Sequence, residues 1–546
     1  MTVLLIAFCG NVARRALVIL RTAVRIILAP RSAGEEGVMT DTITRRGFIG
    51  AASGGIAAAA LPLPVLAQGK DSLVMSWQID PPTWDPIIRT NPGVHAIMKM
   101  VFDQPLTQAP DLKIIPAVVK AWKLADDGKQ LALEFRDDVH WHDGQKLTTA
   151  DFRYTYVERR QKGLRSDLGT VFRLLTDVKI ESETKCTMIF SDPMPSSVTW
   201  LPFLANFIVP KHYVEAVGAA TFAEKPIGSG PYKLVSYERN SRIVLEAFDK
   251  YWGPKPSIKK ITILIMKDPS VRVAAVQSGQ SEWVPDIPIR EVERLQKVPG
   301  LKGDIQPITR VILLMVRNDK AFADKNVRLA AHHAIDKVAL SRAFYAGKAV
   351  PLSIPVTPGT PGYVADYKFD HDPKKAEALL AKSGFSPGKP VKIEMASFNG
   401  VFPGDYEIAR AIAQMWKRVG IDATLNVIEQ PKYFELNRGN QLPEATLYSW
   451  DNATGDAEFF VSYILNPKLP FSTWKDPALG DRLAKLAVLA NYDERVKGYR
   501  EVAVDAAEAG ATIPLLQSVI TAVYKEGLKT TTYGNGWALP QTWSWS

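Results

Sequence analysis

The sequence predicts an α/β protein, and three observations carry that prediction. Residues 391–428 read as strand, helix, strand. "VKIEM" alternates Val391, Ile393 and Met395, "DYEIARAIAQMWKRVG" repeats Ile408, Ala411, Met415 and Val419 at helical spacing, and "IDATLNVI" alternates Ile421, Ala423, Leu425 and Val427. Gly420 supplies the helix stop, so the two strands are expected to pair in parallel through a right-handed crossover. Elsewhere, Asp-Gly pairs punctuate alternating apolar runs, the strongest short-range hairpin signal. At 546 residues the chain also exceeds what one hydrophobic core organises, which suggests two or three domains or lobes.

In chain order, the first segment reads as a leader. "TRRGFIGAASGGIAAAALPLPVLAQG" sets Arg45 and Arg46 before a small, apolar run that ends in Val65-Leu66-Ala67. This resembles a twin-arginine export signal with cleavage after Ala67, and its Gly, Ala and Pro content makes a poor membrane span. Upstream of Met39, Arg14, Arg21 and Arg25 fall on one face of an apolar stretch. Residues 1–38 read either as a membrane-surface helix or, preferably, as an artefact of the start site. Setting aside the seven arginines and three acids of residues 1–67 lowers the 67 basic and 57 acidic residues to 60 and 54, a net of +6. No Lys/Arg cluster of nucleic-acid type accompanies that excess, so no nucleic-acid partner is expected. Cys9 lies in the leader and Cys186 stands alone after it. No intramolecular disulfide and no lipid anchor are expected.

"SLVMSWQID" is apolar on both faces, as in a covered strand, and "PPTWDP" stops it. Trp77 and Gln78 are thereby left at a strand's carboxyl end, where open α/β sheets place ligands. In "WKLADDGKQLALEFRDDVHWHDGQKLTTADF", Asp127-Gly128 and Asp143-Gly144 predict turns. Thr148 predicts an N-cap with Asp151 in the first turn of a helix through Phe152 and Tyr156. In "IGSGPYKLVSYERNSRIVLEAFDKYWG", Gly228 and Gly230 are expected to adopt conformations closed to other residues before a hairpin through Tyr232, Leu234, Ile243, Leu245 and Ala247.

Together these segments resemble the extracellular solute-binding proteins of family 5, the large peptide, nickel and opine receptors that serve ABC importers. The resemblance covers residues 68–546. It rests on "PTWDP" at 82–86, the Asp-Gly segment within 114–152, the 227–253 hairpin, "NVRLAAHHAIDK" at 326–337 and "MWKRVGIDATLNVIE" at 415–429. It implies a two-lobed type II periplasmic-binding-protein fold with an additional subdomain in the N-terminal half. Lobe I would collect 68–100, 232–312 and 517–546, the extra subdomain 101–231, and lobe II 313–516. It also implies a periplasmic monomer that carries no cofactor, hands a small-molecule ligand to an ABC permease with its ATPase, and catalyses nothing.

By the same resemblance, "ATLYSWDNATGDAEFF" at 445–460 is the ligand-wall loop. Trp450 would offer flat apolar area or pack as core, Tyr448 area plus a hydroxyl, and Asp451 or Asn452 a polar contact. The dipeptide and oligopeptide receptors hold the ligand's amino group with an Asp three residues after this tryptophan. That position here is Ala453, which lowers the expectation of ordinary peptides unless Asp451 or Asp456 takes the role. Arg310 precedes an apolar strand and can reach a ligand carboxylate, or it is a surface residue at a strand end. Trp77 lines the cleft or packs as core.

His140 and His142 are only two local candidates for a metal, and His332 and His333 point about 100° apart in a helix, so no metal site is expected. G-x-S-x-G, H-E-x-x-H, C-x-x-C and the P-loop are all missing, which weakens a secreted hydrolase as the alternative. A peptide-holding, chaperone-like role is the other alternative.

Overall fold

An eleven-stranded mixed sheet forms the spine of the structure. The computed structural model describes residues 71–88, 92–159, 171–204, 206–399, 401–452, 454–469 and 471–546. The leader readings, Arg45-Arg46 and the Ala67 cleavage among them, and the Ala453 position lie outside the described residues. From one edge, the strands are Ile421–Val427, Val391–Ser397, Ala445–Asp451, Leu301–Val316, Thr512–Lys525, Trp283–Pro285, Ser72–Trp77, Lys260–Ile265, Arg242–Ala247 and Tyr232–Glu238. Val350–Pro351 pairs to one side with Thr512–Lys525. The 391–428 unit forms as predicted, with Val391–Ser397 parallel to Ile421–Val427 and Asp405–Val419 as the connecting helix.

Two long strands, Leu301–Val316 and Thr512–Lys525, belong to both halves of this sheet. They run antiparallel: Leu301–Pro307 pairs with residues 519–525, beside Trp283–Pro285. Val311–Met315 pairs with residues 512–517, beside Ala445–Asp451. Between Pro307 and Val311 the register shifts: residues 308–310 stand against residue 518 alone. Extra residues on one strand of a pair bend and twist the sheet, and this break falls between the two halves of the sheet. Beyond it the strand is buried on both faces. Ile312, Leu314 and Val316 enter one core, while Val311, Leu313 and Met315 enter another.

Residues between Trp77 and Tyr232 build a separate four-stranded antiparallel sheet. Its first strands, Val119–Leu124 and Gln130–Phe135, meet across the Asp127-Gly128 turn. Thr148 is the N-cap, as expected, and Asp151 completes a reciprocal capping box with it. The helix then widens into a π-helical segment, Tyr154–Arg159. Arg159 pairs with Asp85 of "PTWDP" at 2.7 Å, both side chains buried, and Trp84 packs edge-on to Tyr237. That motif is therefore a joint between the added sheet and the main one.

The 227–253 hairpin has a similar use, and here the structure corrects the sequence reading. Neither Gly228 nor Gly230 has a positive φ. A Cβ on Gly228 would lie 1.9 Å from the Val101 carbonyl oxygen, and one on Gly230 would lie 2.5 Å from its carbonyl carbon. Close backbone approach, not handedness, excludes other residues. The His142 ring locks the same turn: Nδ1 accepts from the Gly228 N–H, and Nε2 donates to the Gly230 carbonyl. Burial pushes this imidazole down to about 4, as a neutral ring with one accepting nitrogen requires. At the far end Tyr251 and Trp252 both donate to Asp103. His332 stacks on Phe369 and meets the Lys337 amine, and His333 meets the Asp370 carbonyl.

Gly228→Ala should cost about 3 kcal/mol or more, because the obstacle is main chain and cannot rotate away. Gly388→Ala, where a Cβ meets nothing within 4 Å, should stay within about 0.5 kcal/mol of wild type. Urea unfolding monitored by tryptophan fluorescence compares them, and equal midpoints would contradict this reading.

Candidate ligand-binding cleft

The break in the long strands sets the candidate site. Arg310 lies within it, opposite Asp451, and donates to the Asp451 carboxylate at 3.3 Å. Both remain partly open, the arginine side chain at 31% and the aspartate at 16%. Arg310, expected to meet a ligand carboxylate, thus already holds one from its own chain. From the other lobe comes Asp286, directly after Trp283–Pro285 and with φ +48°, a strained value for a residue other than glycine. The buried Arg272 guanidinium holds that turn by donating to the carbonyls of Met266, Lys267, Pro285 and Asp286. Gln78 donates to the Asp286 carboxylate at 2.6 Å.

Electrostatics couple these groups. Burial opposes the charge on Arg310, yet Asp451 and Asp286 outweigh it and hold the guanidinium above its ordinary pKa. Burial raises both carboxyls, with Arg310 offsetting part of the rise in each and Arg272 part of that in Asp286. One half-buried guanidinium therefore acts on two partly desolvated carboxylates.

The remaining expected residues lie elsewhere. Trp450, on the opposite face of its strand from Asp451, is buried, donates to the Phe459 carbonyl and packs against Phe459 and Phe471, each at 5.5 Å. Tyr448, half-buried, stacks on Tyr433 at 4.7 Å with Phe398 at 6.0 Å. Asn452 is fully buried: its Oδ1 accepts from Thr454 and Gly455, and its Nδ2 donates to the Asp456 carbonyl. It shapes the loop rather than facing a cleft. Trp77 is core, stacked at 5.6 Å on Trp283. Sequence reasoning missed Asp286. Its one local signal is an acid between Pro285 and Pro288 after a buried strand, and its partners Gln78 and Arg310 are distant in sequence.

A second contact joins the lobes. Trp200 and Phe203 of the inserted segment meet Phe459 and Tyr463 of the Ala457–Leu465 helix, with Phe459 5.4 and 5.5 Å from the two rings. Gln108 donates to the Thr454 carbonyl at 2.9 Å. Inside this seam Asp456 pairs with Arg495, both buried. Burial, with Asp456 beside it, pushes the Glu458 carboxyl up to about 7, partly offset by Arg495 and Ser196.

The sequence model described as "Bacterial extracellular solute-binding proteins, family 5 Middle" matches residues 113–469. The dipeptide-binding protein of Escherichia coli K12 is 25% identical over 429 residues, covering 72% of this chain and 78% of the relative. The nickel-binding periplasmic protein of the same organism is 25% identical over 432 residues, covering 74% and 80%. Among solved structures, the periplasmic binding protein DppA from Helicobacter pylori in complex with the peptide STSA superposes with a TM-score of 0.74 at 20% identity. It covers 87% of this chain and 98% of that one.

The seam yields a pH prediction. A native-state pKa raised from 4.5 to about 7 means that the folded protein keeps a proton that the unfolded chain releases. Glu458 therefore supports stability below about pH 4.5, and that support is lost as pH rises through about 7. Glu458→Gln should remove the decline, so its urea midpoint should gain on wild type between about pH 5 and pH 8. Parallel midpoint curves for the two proteins would contradict the assignment.

Proposed function

The chain belongs to the bacterial extracellular solute-binding proteins of family 5, and from that premise we propose how it works as the substrate-binding component of an ABC importer. It captures a small organic solute between its lobes, and the closed form is what the permease engages. No bond is made or broken on this chain. The observation that carries the reading is the register break at Pro307–Val311, where polar side chains from both lobes converge on a bend in a shared sheet. A ligand that contacts Asp286 on one side and Asp451 on the other favours the state in which both are near.

In this reading Arg310 and Asp451 face the ligand. Tyr448 and Trp450 back Asp451 from the opposite face of their strand, Asn452 fixes the loop, and Trp77 ends the strand that leads into Gln78. The protein works as a monomer in the periplasm, exported by the Arg45-Arg46 signal and cut after Ala67.

A thermal-shift screen tests capture. Purified protein, stripped of solute by unfolding and refolding, is scanned with peptides, chelated nickel, sugars and aromatic carboxylates. A true ligand at 100 times its Kd stabilises the native state by about 2.7 kcal/mol, visible as a rise in Tm. Saturable binding without turnover is expected, whereas product formation would contradict the receptor reading. For export, replacing Arg45 and Arg46 by Lys should leave uncleaved precursor in the cytoplasm on cell fractionation. An unchanged periplasmic yield would exclude the twin-arginine route.

A further inference from the structure

A cavity of about 290 Å³ lies outside the register break, between the start of the Lys337–Tyr345 helix, residues 351–354 and residues 363–371. That volume sits at the small end of ligand pockets, enough for one ring and its substituent. Every residue that lines it falls between Ile335 and His371, whereas Gln78, Asp286, Arg310 and Asp451 belong to the break. Ile335, Leu352 and Ile354 give it buried aliphatic surface, and Tyr363, Tyr367 and Phe369 give it half-buried rings. Partly covered aromatic faces around an open volume suit a flat apolar body.

Charge decides what such a body carries. Lys337 lines the cavity and is itself buried. Its Nζ donates to the Leu352 carbonyl at 2.6 Å, meets His332 Nε2 at 2.8 Å and lies 5.9 Å from the centre of the Phe369 ring, which sets the amine at the wall formed by Leu352 and Phe369. An ammonium has three N–H donors, and these contacts use two. Burial pushes the amine down to about 7, and no acid among the described residues offsets that fall. The other charged groups of the lining are spent or solvated. Asp336 accepts from the Ala339 N–H as the helix N-cap and faces His371 at 3.8 Å. Lys368 and Asp370 are exposed and opposite in sign, so solvent screens them. The buried amine is the charge a ligand feels most, and it stands without a counter-ion.

We propose that this cavity is a second binding site, for a small aromatic carboxylate whose anion pairs with Lys337 and whose ring lies among Tyr363, Tyr367 and Phe369. The site is separate from the interlobe cleft and does not depend on the receptor reading. Pairing restores the charge on the amine, so binding near neutral pH takes up a proton. Around the amine stand Asp336 at the start of its own helix, His332 and His333 from the preceding one, and Tyr363, Tyr367, Lys368, Asp370 and His371 across the cavity. Burial holds His332 and His333 below their ordinary pKa, which leaves His371 as the histidine to control for.

The test is calorimetric titration of stripped protein with benzoate and phenylacetate, against neutral benzamide, cationic benzylamine and ringless acetate. The two aromatic acids should bind at least about tenfold more tightly than the three controls. Benzoate affinity should fall about tenfold from pH 6 to pH 8, because Lys337 titrates near the middle of that range, and the fall should persist in His371→Gln. Lys337→Met removes the charge and Val364→Trp fills the cavity from its wall. Each should weaken benzoate about tenfold or more, and the second keeps the result readable if the first folds poorly. Arg310→Gln, in the cleft, should bind benzoate as wild type does. Equal affinity for benzamide, a flat pH profile, a profile that vanishes with His371, undiminished binding in both cavity variants, loss confined to Arg310→Gln, or no benzoate binding would each overturn the proposal and leave the receptor reading standing.

Discussion

Everything in this structure depends on a sheet that must stay continuous while it bends. Two strands carry the whole mechanical connection between the lobes within that sheet, and their ladder breaks over residues 308–310. Backbone groups at such a break must find other partners or pay the cost of burial. Thr309 supplies them: its N–H donates to the Gly534 carbonyl, its hydroxyl donates to the Asn452 carbonyl, and its own carbonyl accepts from the Asn452 N–H. The loop after Trp450 is thus tied to the bend by one main-chain bond and the Thr309 hydroxyl. Its orientation follows the bend, not the apolar core of either lobe.

That attachment explains how one short strand serves two purposes. Side chains alternate across a strand. Along Ala445–Asp451 the face bearing Trp450 turns to aromatic packing, while Asp451 projects from the opposite face to the charged break. The aromatic face continues through Phe459 and Tyr463, which pack against the cores of both lobes. Each aromatic pair adds roughly 0.5–1.5 kcal/mol beyond simple burial. A seam made only of such rings would hold the lobes shut irrespective of ligand. Half-buried Glu458 and the buried Asp456–Arg495 pair sit beside those rings, so charge as well as apolar area shapes the contact.

The sequence disclosed local structure well and distant contact poorly, for a physical reason. The parallel unit at 391–428, the capping box at Thr148 and Asp151, and the turn at Asp127-Gly128 are written in adjacent residues, because period and turn chemistry act over a few positions. Arg310 and Asp451 were each legible as polar residues flanking apolar strands, but their pairing spans 141 positions. Asp286 and Gln78, 208 positions apart, left almost no trace. Gly228 and Gly230 were legible as obligatory glycines, yet for the wrong reason. A clash with Val101 depends on how a helix in one segment approaches a turn in another, and no local pattern records that. Family resemblance supplied the two-lobed architecture, which periodicity alone does not reach.

The charged break and the aromatic face must cooperate for capture to work. Driving a two-state protein from one part closed in a hundred to ninety-nine requires about 5.5 kcal/mol of differential affinity. A hydrogen bond to a charged group supplies only about 1.5–3 kcal/mol. Polar contacts at the break therefore fall short of closing the lobes on their own. The remainder has to come from apolar surface enclosed at the same time. A solute with polar groups at one end and flat or aliphatic bulk at the other would draw on both sources at once.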